Sequence, residues 1–394
     1  MSKKIILVGG TFADDGGKSS RIIGAMGDVL LRLRKEDSID IVNGGTFGRL
    51  KEIYEEWLSE KSYDTVFWFA NVDNGKEKIR NVKEILPKCM LVTSKRNVDG
   101  KYAFLDLEQR ALASKSNLML EFAVDSVSGK ITFNVLDPLG DLWYTGDSAE
   151  KAMERMLERL DQLSAFTRQG TIRSEIDVKE PFNWYYGSVE AAKKYSLVDA
   201  PDANAFLDIV HRYADVFHKI MFPETSDVKR FLGNCSQRLP KEFRCPKGMP
   251  SFRGKDYIFV SRRNVNKEEI GIEHFVPVYM EDGKLFYCGD HKPSVDAPVQ
   301  VRLYQSFPNI NYMIHSHCYV KDAPVTSLPI PCGALEETDE ILRLVNRKCG
   351  GTEGTRYAIN LLGHGSLIMG CTVKDLEGVD YIARELPEKQ EVRS

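Results

Sequence analysis

The sequence predicts an α/β protein of two domains, and three observations predict it. Through the first 165 or so residues short apolar runs alternate with amphipathic stretches of helical period. A segment from Thr167 to Ala200 then breaks that alternation, with Gly170, Pro181 and the aromatic run Phe182-Asn183-Trp184-Tyr185-Tyr186-Gly187. Finally, 394 residues are more than one hydrophobic core normally serves. Strands alternating with helices imply a parallel sheet covered on both faces. The expectation is therefore a Rossmann-like domain over residues 1–180 and a second α/β domain over 181–394.

Each element of the first domain has its own signal. Lys4–Val8 is a continuous apolar strand, and Ser20–Arg34 a helix that buries Ile22, Ile23, Met26, Val29, Leu30 and Leu33. Ser38–Val42 reads as a second strand, Arg49–Lys61 as a helix, and Thr65–Ala70 and Met90–Thr93 as further strands. Helical stretches follow at Leu105–Leu118 and Ser148–Phe166, with a strand at Ile131–Leu136 between them.

Ligands of open parallel sheets bind beyond the carboxyl ends of the strands. Two such ends carry one tetrapeptide, Gly9-Gly10-Thr11-Phe12 and Gly44-Gly45-Thr46-Phe47, and the first runs on through Gly16-Gly17-Lys18-Ser19 into a helix. Glycines let backbone amides approach an anion, and a helix N-terminus adds donors. These residues are candidates for a nucleotide or phosphate site, with Lys95 and Arg96 as further cations. The competing reading is that the glycines turn the chain and Ser19 or Ser20 caps the helix.

In the second domain Ala203–Met221 has helical core spacing, and its His211 and His218 read as structural. The chain then offers a helix carrying Tyr304, Gln305 and Ser306, a turn at Pro308-Asn309, and a strand, Tyr312–His317. Alternate strand residues share a face, so His315 and His317 project together. A third histidine, His364, stands between glycines after another apolar strand. Three histidines and a carboxylate match the donor preferences of zinc. Cys318 and Cys332, near these histidines, read as packing residues, with metal contact as the lesser alternative.

The order Gly233-Asn234-Cys235-Ser236-Gln237-Arg238, Lys292-Pro293-Ser294-Val295-Asp296, Tyr304-Gln305-Ser306-Phe307-Pro308, His315-Ser316-His317 and Gly363-His364-Gly365 resembles the class II aldolase and adducin family over residues 200–386. That family holds zinc-dependent sugar-phosphate aldolases, ribulose phosphate 4-epimerase and methylthioribulose phosphate dehydratases. The resemblance implies a divalent metal, zinc by preference, held by Asp296, His315, His317 and His364. It also implies a phosphate site at Asn234, Ser261, Arg262 and Ser294. Two positions depart from the family: Val295 stands where a second serine is usual, and Arg262 where a glycine is. The aldolases have glutamate at the position of Asp296, resembling a general base, whereas the epimerase has aspartate, resembling a ligand. Asp296 before Ala297-Pro298 is also a good helix cap. The chemistry implied is polarisation of a carbonyl and its neighbouring hydroxyl, stabilising an enediolate. Asp296 and Glu337 are the catalytic candidates, with Glu336 and Tyr319 nearby. The resemblance further implies a homo-oligomer, a tetramer by preference.

A net charge of -3 gives no electrostatic footprint for nucleic acid or an anionic membrane. The first apolar run is too short for a secretory signal, and no stretch approaches a membrane span, so a cytoplasmic protein is expected. Eight irregularly spaced cysteines read as reduced thiols. The leading expectation is a zinc-dependent lyase or epimerase acting on a phosphorylated or nucleotide-linked sugar. The alternatives are a nucleotide-dependent transferase or ligase built on the glycine-rich crevice, and a non-catalytic binding protein of the adducin kind.

Overall fold

The computed structural model describes residues 2–72, 81–138, 142–171, 177–180, 202–221, 233–238, 258–281, 284–288 and 291–383. The chain forms two compact units, one centred on Met1–Ser164 and the other on Ala165–Phe222 with Phe231–Glu385. Among the described residues no helix is long and apolar enough to cross a membrane.

The first unit runs β1 (Lys4–Ala13), α1 (Arg21–Leu33), β2 (Ser38–Thr46), α2 (Phe47–Glu52), a π-helical turn (Ile53–Trp57), α3 (Leu58–Lys61), β3 (Thr65–Trp68), β4 (Asn71–Val72), α4 (Val82–Ile85), β5 (Met90–Val98), α5 (Phe104–Ser114), β6 (Leu118–Val124), β7 (Ile131–Leu136), β8 (Leu142–Gly146) and α6 (Ala149–Thr171). The sheet order is β2-β1-β3-β5-β6-β7-β8, with β4 beside the end of β1. The strands from β2 to β6 along that order are parallel, while β7 and β8 are antiparallel. This is the expected Rossmann-like α/β arrangement. Strand β1 is apolar from Ile5 to Val8 because both its faces are covered there. Ile5 and Leu7 pack with Ile23, Met26, Leu30 and Met153 of α1 and α6. Ile6 and Val8 pack with Phe47, Leu50 and Ile53 on the other side.

The sequence carries a helix on to Leu118, but α5 stops at Ser114. Lys115 takes a left-handed φ of 55° that ends it. The apolar run from Leu118 then forms a sheet strand, which periodicity cannot separate from a buried helix.

The second unit holds β9 (Asp177–Glu180), α7 (Ala203–Met221), β10 (Asn234–Arg238), β11 (Ile258–Ser261), β12 (Phe275–Glu281), β13 (Lys284–Cys288), α8 (Ala297–Ser306), β14 (Tyr312–Ser316), β15 (Tyr319–Val320), α9 (Glu336–Lys348), β16 (Arg356–Leu361), β17 (Gly365–Gly370) and β18 (Tyr381–Ile382). Its main sheet has the order β16-β17-β14-β10-β11-β12-β13-β9. Neighbours are antiparallel apart from the parallel pair of β13 and β9. Side-chain alternation divides the core between its faces. Ile314 and Ile368 pack with Phe206, Val210 and Phe217 of α7. Met313, Leu367 and Met369 pack with Val301, Leu303, Ile341 and Leu344 of α8 and α9. The aromatic run at 182–187 lies outside the described residues.

Candidate metal centre

Three elements of the second unit end at one place: β14, the turn joining β16 to β17, and the start of α8. In β14, His315 stands opposite Asn234 of β10 on one side and Leu367 of β17 on the other. His317 follows the last strand residue, and His364 sits in the turn between β16 and β17. One ligand atom from each of His315, His317 and His364 lies within 4.8 Å of the others, and all three residues are buried. Gly365 permits this approach. A Cβ there would stand 1.9 Å from the Ser316 carbonyl oxygen and 2.6 Å from His317 Cα, and the residue's φ is +142°.

The hydrogen bonds around the rings decide which nitrogens face inward. His315 Nδ1 lies 2.9 Å from the Ser366 carbonyl oxygen, which only accepts, so the proton is on Nδ1. Nε2 then carries a bare lone pair; it is buried and makes no hydrogen bond among the described residues. Burial, aided by neighbouring His364, pushes His315 down to about 3, so the ring is neutral. His364 Nδ1 donates to Glu337 Oε1 at 2.6 Å. Burial alone would lower His364, but the Glu337 carboxylate, together with Cys332, outweighs it and holds the ring well above its ordinary value. The turn carrying His364 is pinned by Tyr319, whose hydroxyl accepts from Gly363 N, and by Thr326, whose hydroxyl accepts from Leu362 N.

Asp296 occupies the N-cap position of α8 but its side chain caps no backbone amide. Its Oδ2 accepts from Asn234 Nδ2 at 2.7 Å and lies 3.9 Å from His315 Nε2. Its Oδ1 accepts from the Cys332 thiol at 2.9 Å. Asp296, Cys332 and His364 form a second group whose ligand atoms lie within 4.8 Å of one another. Cys332, read from the sequence as packing, therefore stands at the centre. Its signal was the Pro331-Cys332-Gly333 turn directly before α9.

The residues expected to hold phosphate divide in two. Asn234 is buried with both ends of its amide engaged, Nδ2 on Asp296 and Oδ1 accepting from Gln300. Ser261, Arg262 and Ser294 meet at one backbone junction. Ser294 N donates to the Ser261 carbonyl at 2.9 Å, and Arg262 bridges to Pro293. The Ser261 hydroxyl accepts from Cys235 N at 3.2 Å. Arg262 joins this junction through its backbone, and the basic stretch 244–255 lies outside the described residues.

In the first unit, Gly9, Gly10 and Thr11 lie inside β1, and Gly44, Gly45 and Thr46 inside β2, so both Gly-Gly-Thr runs extend the strands, while Phe47 opens α2. The loop carrying Gly16, Gly17, Lys18 and Ser19 folds back on them. Thr11 N donates to the Lys18 carbonyl, and Gly17 N to the Gly45 carbonyl, each at 2.8 Å. Ser20 N donates to Asn43 Oδ1 at 2.7 Å. Ser20 accepts from Ile23 N as the cap of α1, and Thr46 accepts from Arg49 N as the cap of α2. The structure thus gathers these residues, and several of their amides donate within the protein.

Residues 218–323 match the family described as Class II Aldolase and Adducin N-terminal domain. Within the second unit these residues are similar to that family. No curated protein matches the chain. Among solved structures, an L-fuculose 1-phosphate aldolase is 16% identical over 44% of this chain and 80% of its own, with a TM-score of 0.29. An L-fuculose-1-phosphate aldolase from Thermus thermophilus is 18% identical over 43% of this chain and 82% of its own, with a TM-score of 0.25. A DNA/pantothenate metabolism flavoprotein from Streptococcus pneumoniae is 15% identical over 41% of this chain and all of its own, with a TM-score of 0.33. The matched residues include His315 and His317, and the β16–β17 turn brings His364, from outside the match, to them.

Proposed function

We propose that the second unit is a divalent-metal-dependent lyase or epimerase acting on a phosphorylated or nucleotide-linked sugar. The observation that carries this reading is the convergence of three buried imidazoles, with the bare Nε2 of His315 3.9 Å from the Asp296 carboxylate. A buried, unprotonated imidazole nitrogen with no hydrogen bond is costly unless something takes its lone pair. His315, His317, His364 and Asp296 would hold the cation, in the epimerase-like arrangement. Bound there, a divalent cation supplies Lewis-acid polarisation of a carbonyl and its adjacent hydroxyl.

The protein's own groups do the rest. The Ser366 carbonyl fixes the tautomer of His315, and Glu337 orients His364, which makes Glu337 a positioning carboxylate more than a proton carrier. Asn234 and Gln300 hold Asp296 in turn. Beside the backbone junction of Ser261 and Ser294, a guanidinium at Arg262 would compensate for the hydroxyl missing at Val295, since arginine can pair with an anionic substrate group through two parallel donors.

The test is metal analysis of the purified protein combined with a screen of ketose phosphates for retro-aldol and epimerised products. About one zinc or similar ion per chain is expected, lost in the His315→Ala, His317→Ala double variant. Stoichiometric metal in that variant would overturn the assignment.

A further inference from the structure

Cys332 is a side chain for which the proposed reaction has no use, and its surroundings are not those of a packing thiol. It follows Pro331 in a turn closed by Ala334 N donating to the Pro331 carbonyl at 3.0 Å. That turn leads into α9, whose Glu337 grips His364. The same short stretch therefore delivers a carboxylate to one nitrogen of His364 and a thiol beside the ring. The buried cysteines described in this unit are placed differently from the half-buried Cys332. Cys235 and Cys318 lie in the apolar core against α7, and neither belongs to a group with metal-ligand spacing among the described residues.

We propose that Cys332 is a ligand of the divalent ion, so that the centre is a mixed nitrogen and sulfur site. This rests on the metal reading given above and adds a donor to it. Two groups of potential ligands, His315 with His317 and His364, and Asp296 with Cys332 and His364, share His364 and each fit within 4.8 Å. Donors around a tetrahedral zinc, at about 2.0–2.3 Å from it, stand roughly 3.3–3.8 Å apart, so each group needs only a small contraction to hold an ion, and the shared His364 links the two. The bare Nε2 of His315, in a side chain only 3% exposed, lies 3.9 Å from Oδ2 of Asp296, the carboxylate whose other oxygen accepts from the Cys332 thiol.

The thiol now donates to Asp296 Oδ1. On metal binding the S–H bond breaks, the proton leaves to solvent, and the sulfur lone pair goes to the cation; no oxidant or reductant is involved. Oδ1 of Asp296 is released from the thiol by the same step. A thiolate with imidazoles selects zinc, cobalt or ferrous ion and disfavours magnesium and calcium, which take oxygen donors.

Cobalt(II) titrated into metal-free full-length protein tests this directly. Wild type should show both the visible d–d bands of a low-coordinate cobalt and a near-ultraviolet thiolate-to-cobalt charge-transfer band. Cys332→Ser and Cys332→Ala should keep the visible bands, which report that the variants fold and that the histidines still bind, and lose the near-ultraviolet band. Visible bands without a charge-transfer band in wild type would overturn the thiolate ligand and leave the histidine site standing. A charge-transfer band surviving in both variants would assign the sulfur to another cysteine and also overturn it. If cobalt produces no bands and zinc does not bind, the metal reading itself fails.

Discussion

His315 and His364 are one residue type held in opposite electrostatic states by partners a few ångströms apart. His315 lies far below its ordinary value of 6.5 because it is buried. Its neutral form is favoured in the fold, so the stability it contributes is present above pH 6.5 and is lost as the pH falls toward 3. His364 has the reverse sign. Held well above 6.5 against the effect of burial by Glu337, it contributes stability that is full below pH 6.5 and declines as the pH rises through its raised value. A cation entering at about pH 7 must therefore displace a proton from His364 but none from His315. Glu337→Gln removes the carboxylate, so zinc binding should release about one proton fewer and weaken about 10- to 100-fold. Calorimetric titration in two buffers of different ionisation enthalpy reads both quantities, and an unchanged proton count would remove Glu337 from control of the ring. The three histidines were legible in the sequence because a strand's two-residue period and a glycine-flanked turn put them where they are. The roles of Glu337 and Cys332 were not, since both depend on how α9 docks, and no local pattern specifies that.

At the scale of elements, strand β10 shows what patterning cannot reveal. Asn234, Cys235, Ser236, Gln237 and Arg238 are all buried in the middle of a sheet without any apolar alternation. They are tolerated there because partners outside the strand satisfy them: Ser236 meets the Tyr304 hydroxyl at 3.0 Å, and Arg238 donates to the carbonyls of Tyr304, Phe307 and Pro308. Helix α7, by contrast, follows its apolar period closely, and α1 does so as far as Leu30, while Leu33, expected on the buried side, is 47% exposed. The pairing of β14 with β17 depends on Gly365, where a methyl group would collide with backbone atoms that cannot rotate away. Gly365→Ala should force the strands apart, cost more than about 3 kcal/mol, and abolish metal binding. Gly378 is the matched control. It has a φ of +68° but nothing within 4 Å of an added Cβ, so Gly378→Ala should cost only about 1–2 kcal/mol and leave metal affinity as in wild type. Denaturant titration and zinc affinity on the two variants separate them. Equal metal affinity in both would mean that the histidines do not depend on that close approach.

Across the whole chain, each unit has its own sheet with an apolar cluster on either face, and the histidine centre and the glycine-rich loops fall in different units. A ligand that binds only the folded state stabilises whatever unfolds with its site, by about 2.7 kcal/mol at a hundredfold excess over Kd. All the proposed metal donors belong to the second unit. Scanning calorimetry of the intact protein should therefore show two transitions. Zinc should raise the midpoint of one by several degrees and leave the other in place, and a chelator should reverse the shift. The His315→Ala, His317→Ala variant should keep both transitions and lose the response. If zinc instead moves both transitions equally in wild type, the two cores do not unfold separately. If it moves neither at saturating concentration, the cluster of histidines does not hold an ion in the folded protein.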